Sequence, residues 1–387
     1  ATFADGPPHV IFDELRNERP VYGQPNPFGG TAWSLTRYAD VRMVATDSER
    51  FTSTQGMHYP NLRDHAKHKV DNIMFNDPPR HTRLRTFAAK AFSAPVVRRF
   101  DGWIREMCTE IIDNVFEEQR LDIIPVIASA LPGQVIAKVM GVPDHERHLI
   151  VKWANTIFGR LDPSIGIEKS IAAVKECEAY AFELRERKLK EPGTDMATEL
   201  AHASRGGADI TDREYSEMVS SLIIAGYETT HTLIAQSLVL IAKDPEVRRQ
   251  VETAADGQMA PVVEELLRYV CPVMHMGRTA KQDLVLNGQE IAAGDFALMW
   301  FTAANRDPVV FEDPHRFFVA RPRHPHASFG AGGPHICLGA HLARLEGQIL
   351  LEEMNRRNLR LELDGEIERS VGNFINALRK APMRVMQ

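Results

Sequence analysis

The pattern of apolar and polar positions changes character twice along this chain, near Arg80 and again after Pro272. Between those points helical patterns dominate, and helices are expected over about 80–92, 96–118, 124–140, 144–160, 166–190, 212–242, 244–254 and 258–270. The stretch from Glu191 to Asp209, with Pro192, Gly193, Gly206 and Gly207, reads as a loop between two of them. Ahead of Arg80, residues Thr31–Thr36 are strand-like, and the Pro27-Phe-Gly-Gly30 turn before them predicts a hairpin. Asp40–Ser48 reads as a short helix, and the His-, Lys-, Arg- and Asp-rich residues 56–71 as an exposed, mobile loop.

After Pro272 the elements are short. Asn287-Gly288 between Leu284-Val-Leu286 and Ile291 predicts a tight hairpin, and Phe296–Phe301 is a second apolar run. Proline-rich coil covers Asp307–Pro325, followed by a glycine-rich loop. A last helix then carries Leu338, Leu342, Leu345 and Ile349 on one face. Phe374-Ile-Asn376 and Met383–Met386 are expected to pair as final strands. The fold class is therefore mainly α with a small β portion. The β-rich part covers about 20–60 and 272–301 plus the tail, and the α-rich part about 75–270 and 338–358.

Composition narrows the function classes. The 387 residues are 44% hydrophobic and 25% charged with a net charge of −6, an ordinary globular balance whose acidity argues against nucleic acid as a partner. No linker, low-complexity block or repeat divides the chain, which reads as one domain over 1–387. Cys108, Cys177, Cys271 and Cys337 are scattered without a CxxC pair, which suits a reducing, cytoplasmic compartment. The N-terminus shows no secretion signal. The longest apolar region, Ile123–Val142, is broken by Pro125, Pro132, Gly133 and Lys138, so no membrane anchor is expected.

The candidate chemistry begins at Phe329-Gly-Ala-Gly-Gly-Pro-His335-Ile-Cys337-Leu-Gly339. A free cysteine is ordinarily a small core hydrophobe. Cys337, however, stands at the start of a helix, where unpaired N–H groups and the dipole favour thiolate and make it a good metal ligand. Gly330, Gly332 and Gly333 relieve φ restrictions and suit a backbone lying flat against something. A phosphate-cradling loop fails because His335 occupies its third glycine position.

Ala225-Gly-Tyr-Glu228-Thr229-Thr230 lies inside an apolar helix, and the Thr229 hydroxyl can bond the carbonyl of Ala225 and bend that helix. Glu228 beside it offers a route for protons. Glu265 and Arg268 can pair three residues apart. Arg278, Ala304-Asn-Arg-Asp-Pro308 and Phe311–Arg321 follow in order. Asp77-Pro-Pro-Arg-His81-Thr-Arg-Leu-Arg85 opens a helix. His65 and His68 are spaced as metal ligands are, but no third ligand is near, and a solvated loop explains them better.

Taken together, these motifs resemble the cytochrome P-450 family from about Phe75 to Ile375. The resemblance implies a soluble, monomeric bacterial haem-thiolate monooxygenase, with haem b held between the oxygen-activation helix and the cysteine-loop helix. Cys337 would be the axial iron ligand. His81, Arg85, Ala225, Arg278, Phe329, His335 and Gly339 would contact the haem, with His81, Arg85, Arg278 and His335 on its propionates. Glu228 and Thr229 would form the acid–alcohol pair that handles dioxygen and protons. Glu265, Arg268 and Arg321 would form a buried structural triad. Electrons would come from NAD(P)H through a separate ferredoxin (or flavodoxin) and its reductase, since the chain shows no flavin, nicotinamide or iron–sulfur motif.

One departure is that Phe329–Cys337 is one residue longer than the commonest bacterial form. A branch with actinobacterial lipid and sterol hydroxylases shares that length, and Asn373-Phe-Ile-Asn376 also looks like that branch. By position, the substrate pocket would draw on Met74, Ser221, Ile224, Ala225, Val273, Met274, Met276, Phe374 and Ile375. Its methionines suggest an adaptable apolar wall or ordinary core. Ser221 would orient a substrate hydroxyl or bond its own backbone. The expected substrate is hydrophobic: terpenoid, fatty-acid, steroid-like or aromatic. The rival readings are a peroxide-driven peroxygenase, which usually lacks the acid–alcohol pair, and a non-catalytic haem sensor or carrier.

Overall fold

The computed structural model describes residues 2–27, 29–60, 72–204, 210–254, 258–322 and 325–386. His65, His68 and most of the charged stretch 56–71 lie outside them. Helix α1 (His9–Glu18) leads to strands β1 (Val21–Pro25) and β2 (Thr31–Leu35), helix α2 (Tyr38–Thr46) and strand β3 (Phe51–Thr52). A helical body follows with α3 (Arg80–Ala91), α4 (Ala94–Val97), α5 (Asp101–Glu117), α6 (Ala130–Met140), α7 (Arg147–Phe158) and α8 (Gly166–Lys190). It continues with α9 (Met196–Ser204), α10 (Asp212–Lys243), α11 (Pro245–Glu252) and α12 (Met259–Val270), and strand β4 (Arg120–Asp122) sits between α5 and α6. Strands β5 (His275–Ala280), β6 (Leu284–Leu286), β7 (Gln289–Ile291) and β8 (Phe296–Trp300) come next, then the single turn α13 (Phe301–Ala304) and the long α14 (Ala340–Arg356). The tail adds β9 (Arg360–Leu363), β10 (Glu368–Arg369), β11 (Leu378–Lys380) and β12 (Pro382–Met386). The fold is mainly helical.

Helix α10 runs through the largest core and packs on α6, α7, α8, α12 and α14. Its sequence explains that position, because buried residues occur all round the helix rather than along one stripe. Its start is fixed by a capping box: the Thr211 hydroxyl accepts from the Glu214 N–H at 3.1 Å, and the Glu214 carboxylate accepts from the Thr211 N–H at 3.0 Å. Arg80 at 2.9 Å and Arg83 bind the same carboxylate, which ties α3 to the head of α10.

A second core lies under a five-stranded sheet of order β1-β2-β8-β5-β3. Strand β8 is central, parallel to β2 and antiparallel to β5, and all five of its residues are buried. A strand covered on both faces needs a continuous apolar run, which is how Phe296–Trp300 reads. The β1–β2 and β6–β7 hairpins form where the Gly29-Gly30 and Asn287-Gly288 turns predict them.

Three expectations change. The Glu191–Asp209 segment contains helix α9, because the Asp195 carboxylate caps it through the Thr198 N–H at 2.9 Å and Ala197, Leu200 and Ala201 are buried. The expected 124–140 helix divides at Pro125 into a π-helical turn, Ile124–Ala128, and α6. Residues 374–376 do not pair with β12, which lies between β4 and β9. Ile375 instead bridges Val273, and Asn376 donates its N–H to Pro272 at 2.9 Å.

Candidate active site

The loop before α14 is closed by the Cys337 N–H donating to the Phe329 carbonyl at 2.9 Å. Four successive residues, Gly330, Ala331, Gly332 and Gly333, have positive φ, a region that glycine enters without cost. At Gly333 a Cβ would lie 2.2 Å from the Ala45 carbonyl oxygen, so the loop lies flat against the end of α2. By contrast, a Cβ on Gly339 would meet nothing within 4 Å.

Cys337 is the only exposed cysteine; Cys108, Cys177 and Cys271 are buried. Desolvation by the surrounding protein raises the Cys337 thiol pKa, and the Gly339 N–H and the charges of Arg85 and Arg344 act the other way. Helix α14 begins three residues later, at Ala340, so its dipole does not outweigh desolvation.

Beside the cysteine loop, four cationic or imidazole groups meet from three segments. His81 and Arg85 stand one turn apart on α3, Arg278 lies on β5, and His335 belongs to the loop. The His81 and His335 rings are 4.1 Å apart between centroids, and His335 Nε2 is 3.0 Å from Ser53 Oγ. Burial, then Arg85 and Arg278, lowers His81 to about 4; burial, then Arg278, His81 and Arg85, lowers His335 to about 2. Arg278 is buried, and its guanidinium donates to the Gly277 carbonyl at 2.8 Å. Among the described residues, Asp77 is the one acid that acts on Arg278 and His81, and it also accepts from the Ser53 N–H at 2.9 Å. His81 Nδ1 is enclosed without a partner among the described residues. The cluster is short of negative charge and has donors to spare, so it fits a dianion such as a pair of carboxylates.

On α10 the Thr229 hydroxyl donates to the Ala225 carbonyl at 2.8 Å, as the spacing implies. The helix nevertheless continues unbroken from Asp212 to Lys243. Gly226 has a packing reason, because a Cβ there would come 2.7 Å from Ile136 Cδ1 on α6. Ser221, Leu222, Ala225, Gly226 and Thr229 are only partly covered although their neighbours Ile223, Ile224, Tyr227 and Glu228 are buried. Helical spacing puts those five on one stripe. Glu228 is 4% exposed, its Oε2 has no partner among the described residues, and burial raises its pKa to about 7.

The remaining sequence candidates divide. Arg268 donates to both Glu265 oxygens at 2.8 and 2.7 Å, and Arg321 Nε reaches Glu265 Oε1 at 3.4 Å. Among the pocket residues, Met274 is in the sheet core with Phe12, Ala32, Phe296 and Trp300, so it is withdrawn as a pocket wall. Val273, Met276, Met74 and Phe374 are partly covered. Ile224 and Ile375 are buried at 7% exposure each. Ser221 donates to its own backbone at Glu217 O, 2.7 Å away, and accepts from Asn72 Nδ2, so its hydroxyl is engaged.

The sequence reading missed Arg344, which lies 4.4 Å from the Phe329 ring centroid, pairs with Glu264 and acts on Cys337. Its place in the second turn after the cysteine was the available signal. Also missed was Asn72, whose cap on Met74 and bond to Ser221 depend on a contact distant in sequence.

Comparison with known proteins completes the picture. The cytochrome P450 family profile matches residues 166–370. The methyl-branched lipid omega-hydroxylase of Mycobacterium tuberculosis is 31% identical over 96% of this chain and 90% of its own length. The steroid C26-monooxygenase of the same organism is 33% identical over 89% of this chain and 82% of its own. A Mycobacterium marinum cytochrome P450 solved in complex with pseudoionone superimposes with a TM-score of 0.90 at 29% identity, covering 97% of this chain and 94% of that one. With a profile over more than half its length and relatives of this identity over nearly all of it, the chain belongs to the cytochrome P450 family of haem-thiolate monooxygenases.

Proposed function

We propose that this chain inserts one oxygen atom of O2 into a hydrophobic small molecule, using electrons passed from NAD(P)H by a reductase and a ferredoxin or flavodoxin. The observation that carries the reading is the gathering of His81, Arg85, Arg278 and His335, short of negative charge, beside the one exposed cysteine. Haem b, when bound, would supply dioxygen activation and oxygen-atom insertion. Cys337 would hold its iron through Sγ, and the four-residue cluster would hold its propionates. Phe329, Gly339 and Ala225 would lie along the ring.

The residues of α10 would handle the protons. The Thr229 hydroxyl donates to Ala225, which leaves its oxygen to serve the site as a hydrogen-bond acceptor. Glu228, with a pKa of about 7, can hold and release a proton near neutrality. Glu265, Arg268 and Arg321 would keep the coil before the cysteine loop in place. Val273, Met276, Met74, Ile224, Phe374 and Ile375 would line the substrate space, a wall suited to the lipid, steroid and terpenoid classes.

The test is the difference spectrum of the reduced holoprotein with carbon monoxide. A red-shifted Soret band is expected, and Cys337→Ser is expected to abolish it while haem absorbance at shorter wavelength persists. A wild-type spectrum without that band would end the reading.

A further inference from the structure

Among the described residues, Arg160 is a cation without a counter-charge. It lies in the turn Gly159–Leu161 that follows α7, two residues after Phe158. Its Nη2 is enclosed and has no hydrogen-bond partner among the described residues. The acid next in sequence, Asp162, is already engaged: Oδ2 pairs with Arg379, and Oδ1 accepts from the Ser164 N–H at 2.8 Å and hydroxyl at 2.7 Å. Burial lowers Arg160 to about 10, which still leaves it protonated near neutrality.

Phe158, two residues before Arg160, belongs to an aromatic cluster. The Phe158 ring stacks on Phe374 at 6.1 Å between centroids, and Phe374 also meets His58 at 4.2 Å and His275 at 5.4 Å. Arg160 is close enough to His275 for its charge to act on that ring. His275 offers no negative charge in return, because Nδ1 bonds the Asn373 carbonyl at 2.8 Å and Nε2 accepts from the Tyr59 N–H at 3.2 Å. Phe158, Arg160, His58 and Phe374 are each only partly covered. Arg160 is not among the charges that act on Cys337, whereas Arg85 and Arg344 are.

An enclosed guanidinium in the turn after Phe158, whose ring stacks on a partly covered Phe374, is suited to one end of an amphipathic molecule. A carboxylate there would supply the missing charge and two acceptors in the geometry of the guanidinium fork. We propose that Arg160 binds the carboxylate of a hydrophobic carboxylic acid, whose alkyl end extends toward Ala225 and Thr229 and is the end oxidised. This rests on the oxygenase reading above and narrows its substrate class.

The test uses the holoprotein with dodecanoic acid, methyl dodecanoate and dodecan-1-ol, following the haem spin-state shift and the melting temperature. The acid is expected to bind roughly ten- to a hundredfold more tightly than the ester or alcohol, the range of a hydrogen-bonded charge. Arg160→Gln is expected to erase that preference and the acid-induced rise in melting temperature, and Arg160→Lys to restore part of both. In the ligand-free state Arg160→Gln should melt higher than wild type, since it removes an unpaired enclosed charge. Equal binding of acid and ester by wild type, a preference that survives Arg160→Gln, or no shift with any of the three compounds would overturn the proposal. A thiolate-type carbon monoxide band in the same sample would leave the oxygenase reading standing.

Discussion

Glu228 keeps its proton at an acidity where an ordinary glutamate has released it. Its pKa rises from 4.5 to about 7 because burial penalises the charged form. The unfolded chain therefore ionises first, and the stability this group contributes at low pH is lost as pH rises through about 7. The gap between those values is worth on the order of 3 kcal/mol. Glu228→Gln removes the titration. Melting curves at about pH 5 and about pH 8 should show variant and wild type alike in acid, and the variant more stable at the higher value. Substrate turnover by the variant should fall at the same time. An unchanged pH dependence of melting would show that Glu228 is not the enclosed acid described here. The Thr229–Ala225 bond was legible in the sequence because both partners lie on one turn of one helix. The reason for Gly333 was not, because its neighbour Ala45 lies on α2, far away along the chain.

At the scale of elements, Arg268 joins helix α12 to the coil that leads into the cysteine loop. It is 1% exposed and, besides binding Glu265 with two bonds, donates to the carbonyls of Asn305 and Pro314 at 2.8 Å and of Arg316 at 3.2 Å. Glu265 in turn accepts from the Phe318 N–H at 2.9 Å. Arg268→Ala would strip the guanidinium from a buried carboxylate and remove a donor from three carbonyls, at a cost of about 3–5 kcal/mol. Chemical denaturation should show the loss, and Arg268→Lys should recover little of it, because an ammonium lacks the guanidinium fork. A loss below about 1 kcal/mol would place the pair in the class of exposed ion pairs.

The helices were the legible elements, because an apolar stripe repeats along most of them and α10 is apolar on all sides. Helix α9 was hidden by the Pro192-Gly193 and Gly206-Gly207 pairs on either side of it. The partners of β12 were hidden because β4 lies within the helical body and β9 after α14, and no local pattern pairs them.

At the scale of the molecule, the cation cluster joins its two cores. His81 and Arg85 stand on the helical body, Arg278 on the five-stranded sheet, and His335 on the loop between them. Each of these segments carried a recognisable residue in the sequence. What sequence could not convey was the crowding, since only the fold brings two guanidiniums and two imidazoles together with Asp77 as the acid in reach. Crowded charges of one sign oppose folding until an anion joins them, and a ligand that binds only the folded state stabilises it by mass action.

The haem-free protein should therefore hold its sheet and helical body together less firmly than the loaded one. Arg85→Gln separates the two effects, because it removes a charge that depresses both imidazoles while leaving Arg278 in place. In the haem-free form this variant should melt higher than wild type, by an amount corresponding to about 1 kcal/mol for a partly solvated pair of charges. In the loaded form the order should reverse, with haem lost to an apomyoglobin acceptor roughly tenfold faster than from wild type, the cost of one charge-assisted hydrogen bond. A haem-free Arg85→Gln protein that melts lower than wild type would mean that Arg85 is paired within the protein and that the cluster is not short of an anion.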